Sequence, residues 1–337
     1  QVNIARFYDT ESLECAIEFL TPAFLGGPDQ NAELRAAPFK AALRYWWRIL
    51  YGNSYTNPAE LKVAEDALFG STELGAKVRI KVSGAIQPET RGFPRGRKIS
   101  VTSKGKNFSI NILDYLAYGH YEYRRGEGNA YLHTHLPVNR EFRITVITPM
   151  NVKDKIVACI SGFLAFGGIG SRTRNGFGSL GVKNDGINGS AIRDFTKLSP
   201  VEYLTLNKKS KLYVTGKSYP TWEEALSEIG IIYKKARTSL ERQHSFNRRG
   251  LIARPIEVKG ENIPQHIRSG RHSKHFFLHV GKDANGYYGQ ILSLPILFYE
   301  QAEQSKYDAM IDDMHKKFGE SLLDKTNEII NRFRGQV

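Results

Sequence analysis

Apolar positions change period several times along the chain, and each change marks an element. Residues Leu13 to Leu20 (LECAIEFL) alternate imperfectly, close to the two-residue repeat of a strand. Thr21-Pro22-Ala23-Phe24-Leu25-Gly26-Gly27-Pro28-Asp29 breaks that repeat with turn residues and predicts a loop. From Leu34 to about Leu50 the period lengthens to that of a helix. Pro38 falls near its start, where a missing N–H costs little. Phe39, Leu43, Trp46 and Leu50 share one stripe of this helix and are expected in a core. Lys40, Arg44, Trp47 and Tyr51 share the neighbouring stripe, with Arg48 at its border.

A second short helix is predicted over Glu60 to Phe69, and Lys77 to Val82 (KVRIKV) alternates as a strand. Pro88 to Lys106 is rich in Gly, Pro, Lys and Arg. It predicts an exposed basic loop with a short strand at Ile99-Ser100-Val101. Asn111 to Tyr118 reads as helix, followed by a polar loop to Pro137. Glu141 to Ile147 (EFRITVI) is a clear alternating strand, and a helix starting at Asp154 runs to Phe166. Ser179 to Val182 is strand-like. This β-α-β-β-α-β order is the ferredoxin-like topology that RNA-recognition modules also use.

Asn184 to Pro200 lacks a period and reads as a linker. Beyond it the pattern repeats more weakly. Glu202 to Val214 holds strand-like pieces, and Thr221-Trp222-Glu223-Glu224 reads as a capping box opening a helix toward Arg242. Phe276 to Val280 and Tyr288 to Tyr299 pair across Asp283-Ala284-Asn285-Gly286. Lys306 to Phe333 reads as a long helix with a break expected at Gly319. The expectation is an α+β chain of two tandem ferredoxin-like (RRM-like) domains, residues 1–184 and 185–337.

Composition fits two cores: 337 residues with 41% hydrophobic exceed one typical core. Lys+Arg 48 against Asp+Glu 34 gives a net charge of +14, which points to a polyanion, nucleic acid foremost. No apolar run approaches the ~18 residues of a membrane span, no basic amphipathic anchor stands out, and no secretory pattern opens the sequence. No membrane partner is expected. Its first residue is Gln1 rather than Met, so a true N-terminus is expected upstream. Cys15 and Cys159 lie in apolar segments and read as reduced core residues of a cytoplasmic protein.

The charge is densest in meaning between Gly162 and Leu180. Five glycines at 167, 168, 170, 176 and 178 surround Arg172 and Arg174, between a helix and a strand. Glycines allow close backbone approach, amides can cradle an anion, and the arginines add charge, so Gly168, Gly170, Arg172 and Arg174 are candidate phosphate contacts. The loop lacks the Gly-Lys-Ser/Thr ending of a P-loop and reverses the strand–loop–helix order of a dinucleotide site. A loop with merely solvated arginines is the alternative. On the first helix, Lys40, Arg44 and Arg48 with an exposed Trp47 would suit phosphates and a stacked base. Otherwise both tryptophans are core and the basic face is solvated. Arg91, Arg95, Arg97 and Lys98 divide the same way, as does the compact basic run holding Arg268, Arg271, His272 and Lys274.

His266, His272, His275, His279, His133 and His135 match no common zinc spacing, so no metal or cofactor is expected. No hydrolase elbow, kinase set or His-Glu-x-x-His occurs, and the first helix offers no histidine for acid–base cleavage.

Two stretches carry a family resemblance: Thr21 to Gly27 with Leu34 to Arg48 (LRAAPFKAALRYWWR), and Gly167 to Gly178. The first resembles the opening of the first-numbered subunit of Cmr complexes, the type III-B CRISPR RNA-guided effectors. The second resembles the Gly-rich loop of the wider RAMP superfamily. The resemblance covers the N-terminal half by motif and the remainder by layout only. It implies tandem ferredoxin-like domains and a non-catalytic RNA-binding role near the guide 3′ region. The implied partners are single-stranded RNA and the other Cmr subunits. Other RAMP proteins cleave guide precursors, often with a first-helix histidine that this sequence lacks. That endoribonuclease function is the alternative, and a ribosome- or tRNA-binding module is a third.

Overall fold

The structure is a computed structural model that describes residues 9–27, 29, 31–90, 94–103, 106–126, 128–183, 194–242, 245–256 and 261–333. Strand β1 (Thr10–Phe19) leads through a loop to helix α1 (Ala36–Tyr51), and α2 (Pro58–Phe69) follows. Asn57 caps α2 by accepting the Glu60 amide, and Pro58 opens it. Then come β2 (Arg79–Ser83), β3 (Lys98–Ser103), β4 (Lys106–Asn111), α3 (Ile112–Leu116), β5 (Tyr121–Arg124) and β6 (Gly128–Tyr131). β7 (Glu141–Pro149), α4 (Lys153–Phe166) and β8 (Leu180–Val182) complete the first half. The second half holds β9 (Lys211–Val214), α5 (Trp222–Ser239), α6 (Gln265–Ser269), β10 (Phe276–Asp283) and β11 (Gly286–Ser293). It ends with α7 (Gln304–Gly319), β12 (Leu323–Asp324) and α8 (Thr326–Phe333).

Two four-stranded antiparallel sheets result, ordered β2-β7-β1-β8 and β10-β11-β9-β12. Each sheet belongs to a strand–helix–strand–strand–helix–strand series, and in each the first and third strands are central. The Asp283↔Gly286 register closes the predicted β10–β11 hairpin, and Thr221 caps α5 by accepting the Glu224 amide. The predicted long C-terminal helix stops at Gly319; β12 and α8 follow as separate pieces.

Two expectations change. The basic stretch before Asn111 is a hairpin, β3 on β4, and the polar loop before Pro137 holds a second one, β5 on β6. Their sheet partners are each other, so neither needed an alternating buried face to be stable in place. The imperfect alternation of β1 has a different cause. From Cys15 onward both its faces are buried, and even Glu18 is enclosed, paired with Lys183 and with Lys282 of β10.

That pairing shows how closely the halves pack. One apolar core joins Phe39, Leu43, Trp46 and Phe163 to Phe277 and Leu292; the other joins Phe24, Leu113 and Phe177 to Leu226, Ile229 and Leu278. The expected domain boundary at 184/185 falls outside the described residues, as do Arg91 and the first part of the expected linker. Phe195, in the last part of that linker, is buried in the first core.

Candidate nucleic-acid interface

The Gly-rich loop runs from the C-terminus of α4 to β8, and its backbone is tied into the fold. Amides of Ile169, Ser171, Asn175, Gly176, Phe177 and Gly178 donate to carbonyls of Gly178, Phe24, Arg172, Thr173, Arg172 and Pro22. Those six amides are therefore not available to cradle an anion; the amides of Gly168, Gly170, Arg172 and Arg174 are not among them. The glycines also serve packing. Gly170 (φ 93°) and Gly178 (φ 68°) occupy left-handed backbone, and a Cβ on either would collide with the carbonyl oxygen of Phe24 or Ile169. A Cβ on Gly168 would press on the Phe177 carbonyl at 3.0 Å.

The arginines diverge. Arg174 is half-buried: its guanidinium donates to Tyr45 Oη (2.7 Å) and the Lys274 carbonyl (3.2 Å), and lies over the Tyr45 and Phe277 rings. Arg172 is exposed and has φ 60°, a left-handed conformation in a residue other than glycine. Its guanidinium turns toward the segment after α3, with Nη2 2.8 Å from where a Cβ on Gly119 would stand. Beside it His120 meets Ser171 Oγ and stacks on Phe24 at 4.3 Å.

Lys274 joins this loop from the second half. Its ammonium donates to Asn175 Oδ1 (2.7 Å) and sits 4.1 Å over the Tyr233 ring. Burial pushes its pKa well below the ordinary lysine value, and Arg174, Arg237 and Arg172 push the same way. Among the described residues, none of Arg172, Arg174 and Lys274 forms an ion pair with a carboxylate. Positive charge accumulated without counter-charge is electrostatically costly and is relieved by a bound anion. His120 is held below its ordinary value by burial, then by Arg172 and His133.

The first helix has a different role from the one its stripe predicts. Arg44 donates to Glu65 Oε1 (2.7 Å), Asp66 Oδ1 (2.9 Å) and the Gly70 carbonyl (3.1 Å); Arg48 pairs with Glu65 Oε2 at 2.9 Å. Both arginines thus clamp α2 onto α1. Trp47 is 2% exposed, enclosed by Tyr51, Tyr55 and Phe69. Its ring presents no face to a base, because α2 covers the stripe that periodicity alone left open. Trp46 is equally buried, as expected. Lys40 is half-buried on α1.

Two cavities flank Tyr45. One, of about 340 Å3, lies between Pro38, Ala41 and Ala42 of α1 and Gly167 to Gly170, with Arg174 at its wall. The other, of about 600 Å3, is lined by Arg44, Arg48, Arg271, His272, His275 and Tyr299 among others. Arg172 and Arg174 therefore do not share one groove with Arg44 and Arg48. Arg174 faces the helix, Arg172 faces away, and Arg44 and Arg48 stand across Tyr45. Arg268 and Arg271 are exposed. His272 meets the Leu251 carbonyl at 3.1 Å and is brought down to about 4 by burial, so it is neutral near pH 7. Of the basic loops, Arg97 is engaged by Glu228, and Arg95 and Lys98 are exposed. Among the described residues no three His, Cys, Asp or Glu side chains converge as metal ligands.

Sequence reasoning missed Tyr45, His120 and Arg237. Tyr45 left a faint signal, as the aromatic inside Arg44-Tyr45-Trp46-Trp47-Arg48. His120 and Arg237 left none: His120 meets Ser171 of the loop from a distant segment, and Arg237, bonded to Tyr115, acts on Lys274.

The family model for the RAMP superfamily matches residues 16–181, the span that holds α1, α4 and the Gly-rich loop. That span, just under half of the chain, is similar to RAMP-superfamily proteins. Among curated relatives, Cmr subunit Cmr1-1 of Pyrococcus furiosus is 28% identical over 157 residues, 44% of this chain and 40% of that protein. Cmr1-2 of the same organism is 27% identical over 175 residues, 50% of this chain and 92% of that protein. The match thus spans less than half the length of Cmr1-1. In fold the chain is similar to the crystal structure of Cmr1 from Pyrococcus furiosus in its apo form, with TM-score 0.53, 18% identity and 97% of each chain covered. It is also similar to a chain of the type III-B Cmr-beta complex bound to cognate target RNA, with TM-score 0.51, 12% identity, and 91% and 99% covered. These likenesses establish a mixed α/β fold with antiparallel sheets, shared with those two structures. No described helix is long and apolar enough to cross a membrane.

Proposed function

We propose that the chain is a non-catalytic RNA-binding subunit of a type III-B CRISPR Cmr effector complex. It contacts guide or target RNA near the guide 3′ region in cytoplasmic antiviral defence, alongside the other Cmr subunits. The shared strand order of the two sheets supports a build of two ferredoxin-like units in tandem. The RAMP match and the Cmr1 relatives support the place in a Cmr complex.

Arg172 carries the RNA reading. A non-glycine residue on left-handed backbone costs roughly 1–2 kcal/mol, and glycine would sit there freely. The strain is spent on an exposed guanidinium that, among the described residues, has no carboxylate in contact. Local strain holding an unpaired charge at a surface is the signature of a binding residue. Phosphates are the anions that meet such a group in a strongly basic protein.

Titrating the full chain with labelled single-stranded RNA at rising salt tests this. Log affinity falls linearly with log salt, and Arg172→Gly, which frees the backbone while deleting the charge, lowers the slope by roughly 0.7. A salt-independent affinity would refute the reading. One observation favours the endoribonuclease alternative: His120 stands at the Gly-rich loop beside Arg172, where an acid–base group would be needed. The expected outcome with labelled repeat RNA, with or without divalent metal, is intact RNA. Cleavage that vanishes in His120→Ala would replace the proposed function with the alternative.

A further inference from the structure

The surface next to Arg172 carries more than charge. Tyr118, immediately before Gly119, is 71% exposed, although it follows a helix whose Ile112, Leu113 and Leu116 are buried. Leu132 and His133 are exposed as well, and the Leu132 amide donates to the His120 carbonyl (3.0 Å), which places them beside the same turn. An exposed ring next to a guanidinium with no carboxylate partner offers a nucleotide both a stacking face and a phosphate contact. Gly119 fixes the spacing. The Arg172 guanidinium lies against it, and Tyr118 is one residue away, roughly 4 Å along the backbone. That separation is on the scale of one nucleotide step, with a phosphate on the arginine and its base on the ring.

We propose that Tyr118 is a base-stacking residue that works with Arg172 to hold one nucleotide of single-stranded RNA, phosphate on the guanidinium and base on the phenol ring. The proposal rests on the RNA reading of the loop and adds what the loop alone lacks, a π-face. Every base has one, so this contact tolerates any sequence and strengthens with the size of the base. The bound strand is unpaired here, because a base inside a duplex shows its face only to its neighbours. Leu132 and His133 would border the stacked ring. His120 keeps the turn in place through Phe24 and Ser171.

The test uses the full chain with fluorescently labelled 12-nucleotide adenosine and uridine homopolymers, plus an adenosine strand carrying a single 2-aminopurine. The wild type binds the adenosine strand more tightly and quenches 2-aminopurine. Tyr118→Ala weakens adenosine-strand binding about fivefold to 100-fold, narrows the preference over uridine, abolishes quenching and leaves the salt slope unchanged. Tyr118→Trp retains affinity and quenching. Arg172→Gly lowers the salt slope instead. If Arg172→Gly weakens binding while Tyr118→Ala does not, the stacking proposal is wrong and the loop reading stands. If neither variant changes RNA binding, both fail. If Tyr118→Ala spares RNA but abolishes co-purification with the other Cmr subunits, the ring belongs to a protein contact and the proposal is overturned.

Discussion

At the scale of single residues, burial decides which polar groups act at the surface and which answer to the core. His275 is 1% exposed, and neither ring nitrogen has a hydrogen-bond partner. It lies against the His272 ring and edge-on to Tyr307, and burial, then His272 and Arg174, hold its pKa well below the ordinary value. The folded protein thus keeps this imidazole neutral while the unfolded chain takes up a proton below about pH 6.5. Stability is therefore intact above that pH and falls as pH drops below it. The limiting slope is about 1.4 kcal/mol per pH unit for each such histidine. His272 and His315, both brought down to about 4 mainly by burial, act in the same direction over the window from 6.5 to 4. His275→Phe removes one titrating group and two unsatisfied nitrogens. Denaturant melts from pH 7.5 to 4.5 should show a shallower acid slope than wild type and no loss at pH 7.5. An unchanged slope would mean that His275 is protonated in the native state. The sequence showed this histidine and its basic neighbours; it could not show that Arg271 stays in water while His275, four residues on, loses it. Residue identity carries chemistry, but only packing assigns the dielectric in which that chemistry operates.

Elements were more legible than residues where one face is buried and one is wet. α1, β7, α5 and β10 have such faces or clear end signals, and their predicted bounds hold to within a few residues, whereas β11 ends at Ser293, well short of the predicted Tyr299. The β3–β4 and β5–β6 hairpins were less legible because exposed strands pair through backbone bonds that no side-chain pattern records. The stripe of α1 shows the opposite error. Its period was right, but α2 lies over it, and a helix next in sequence leaves no trace in the pattern of the helix it covers. Arg44 reaches two carboxylates and the carbonyl of Gly70, just past the C-terminus of α2, where a cation also suits the helix dipole. Its primary role is therefore to hold α2. Arg44→Met should destabilise the fold by about 1–3 kcal/mol, since it strips a charge-assisted partner from the nearly buried Glu65. Arg44→Lys should recover little of this, because an ammonium cannot span the same three acceptors with a planar fork. RNA affinity, measured well below the melting transition, should stay near wild type for both. A drop in affinity with stability intact would return Arg44 to the binding surface.

For the whole molecule, the repeated strand order invites a picture of two beads on a string, and the packing contradicts it. Both apolar cores draw side chains from either side of residues 184–193. Strand β10 is stitched to the Gly-rich loop and the start of β8 by hydrogen bonds. Leu278 donates to the Arg174 carbonyl (3.2 Å), Val280 to Ser179 Oγ (3.2 Å), and His279 Nδ1 to the Gly167 carbonyl (2.6 Å). The cationic cluster inherits this arrangement. Arg174 of the first half donates to the Lys274 carbonyl, and the Lys274 ammonium of the second half donates to Asn175, so the cationic cluster exists only when the halves are docked. Trp46 sits at the centre of the seam, 6.1 Å from the Phe166 ring and 6.3 Å from Phe277. Two consequences follow from one shared interior. Thermal or urea unfolding should be a single transition, with far-UV circular dichroism and tryptophan fluorescence coinciding, since separating the halves would expose both cores at once. Trp46→Ala should move that whole transition by about 3–5 kcal/mol, the range for emptying a large aromatic site, and should not split it. Expressed alone, residues 9–183 should be poorly soluble and bind RNA weakly, because Phe163, Phe177 and the Gly-rich loop would lose their cover from β10 and α5. Two resolved transitions in the intact chain, or an isolated first half that folds and binds RNA with wild-type affinity, would show that the halves are independent and that the cluster needs only its own loop.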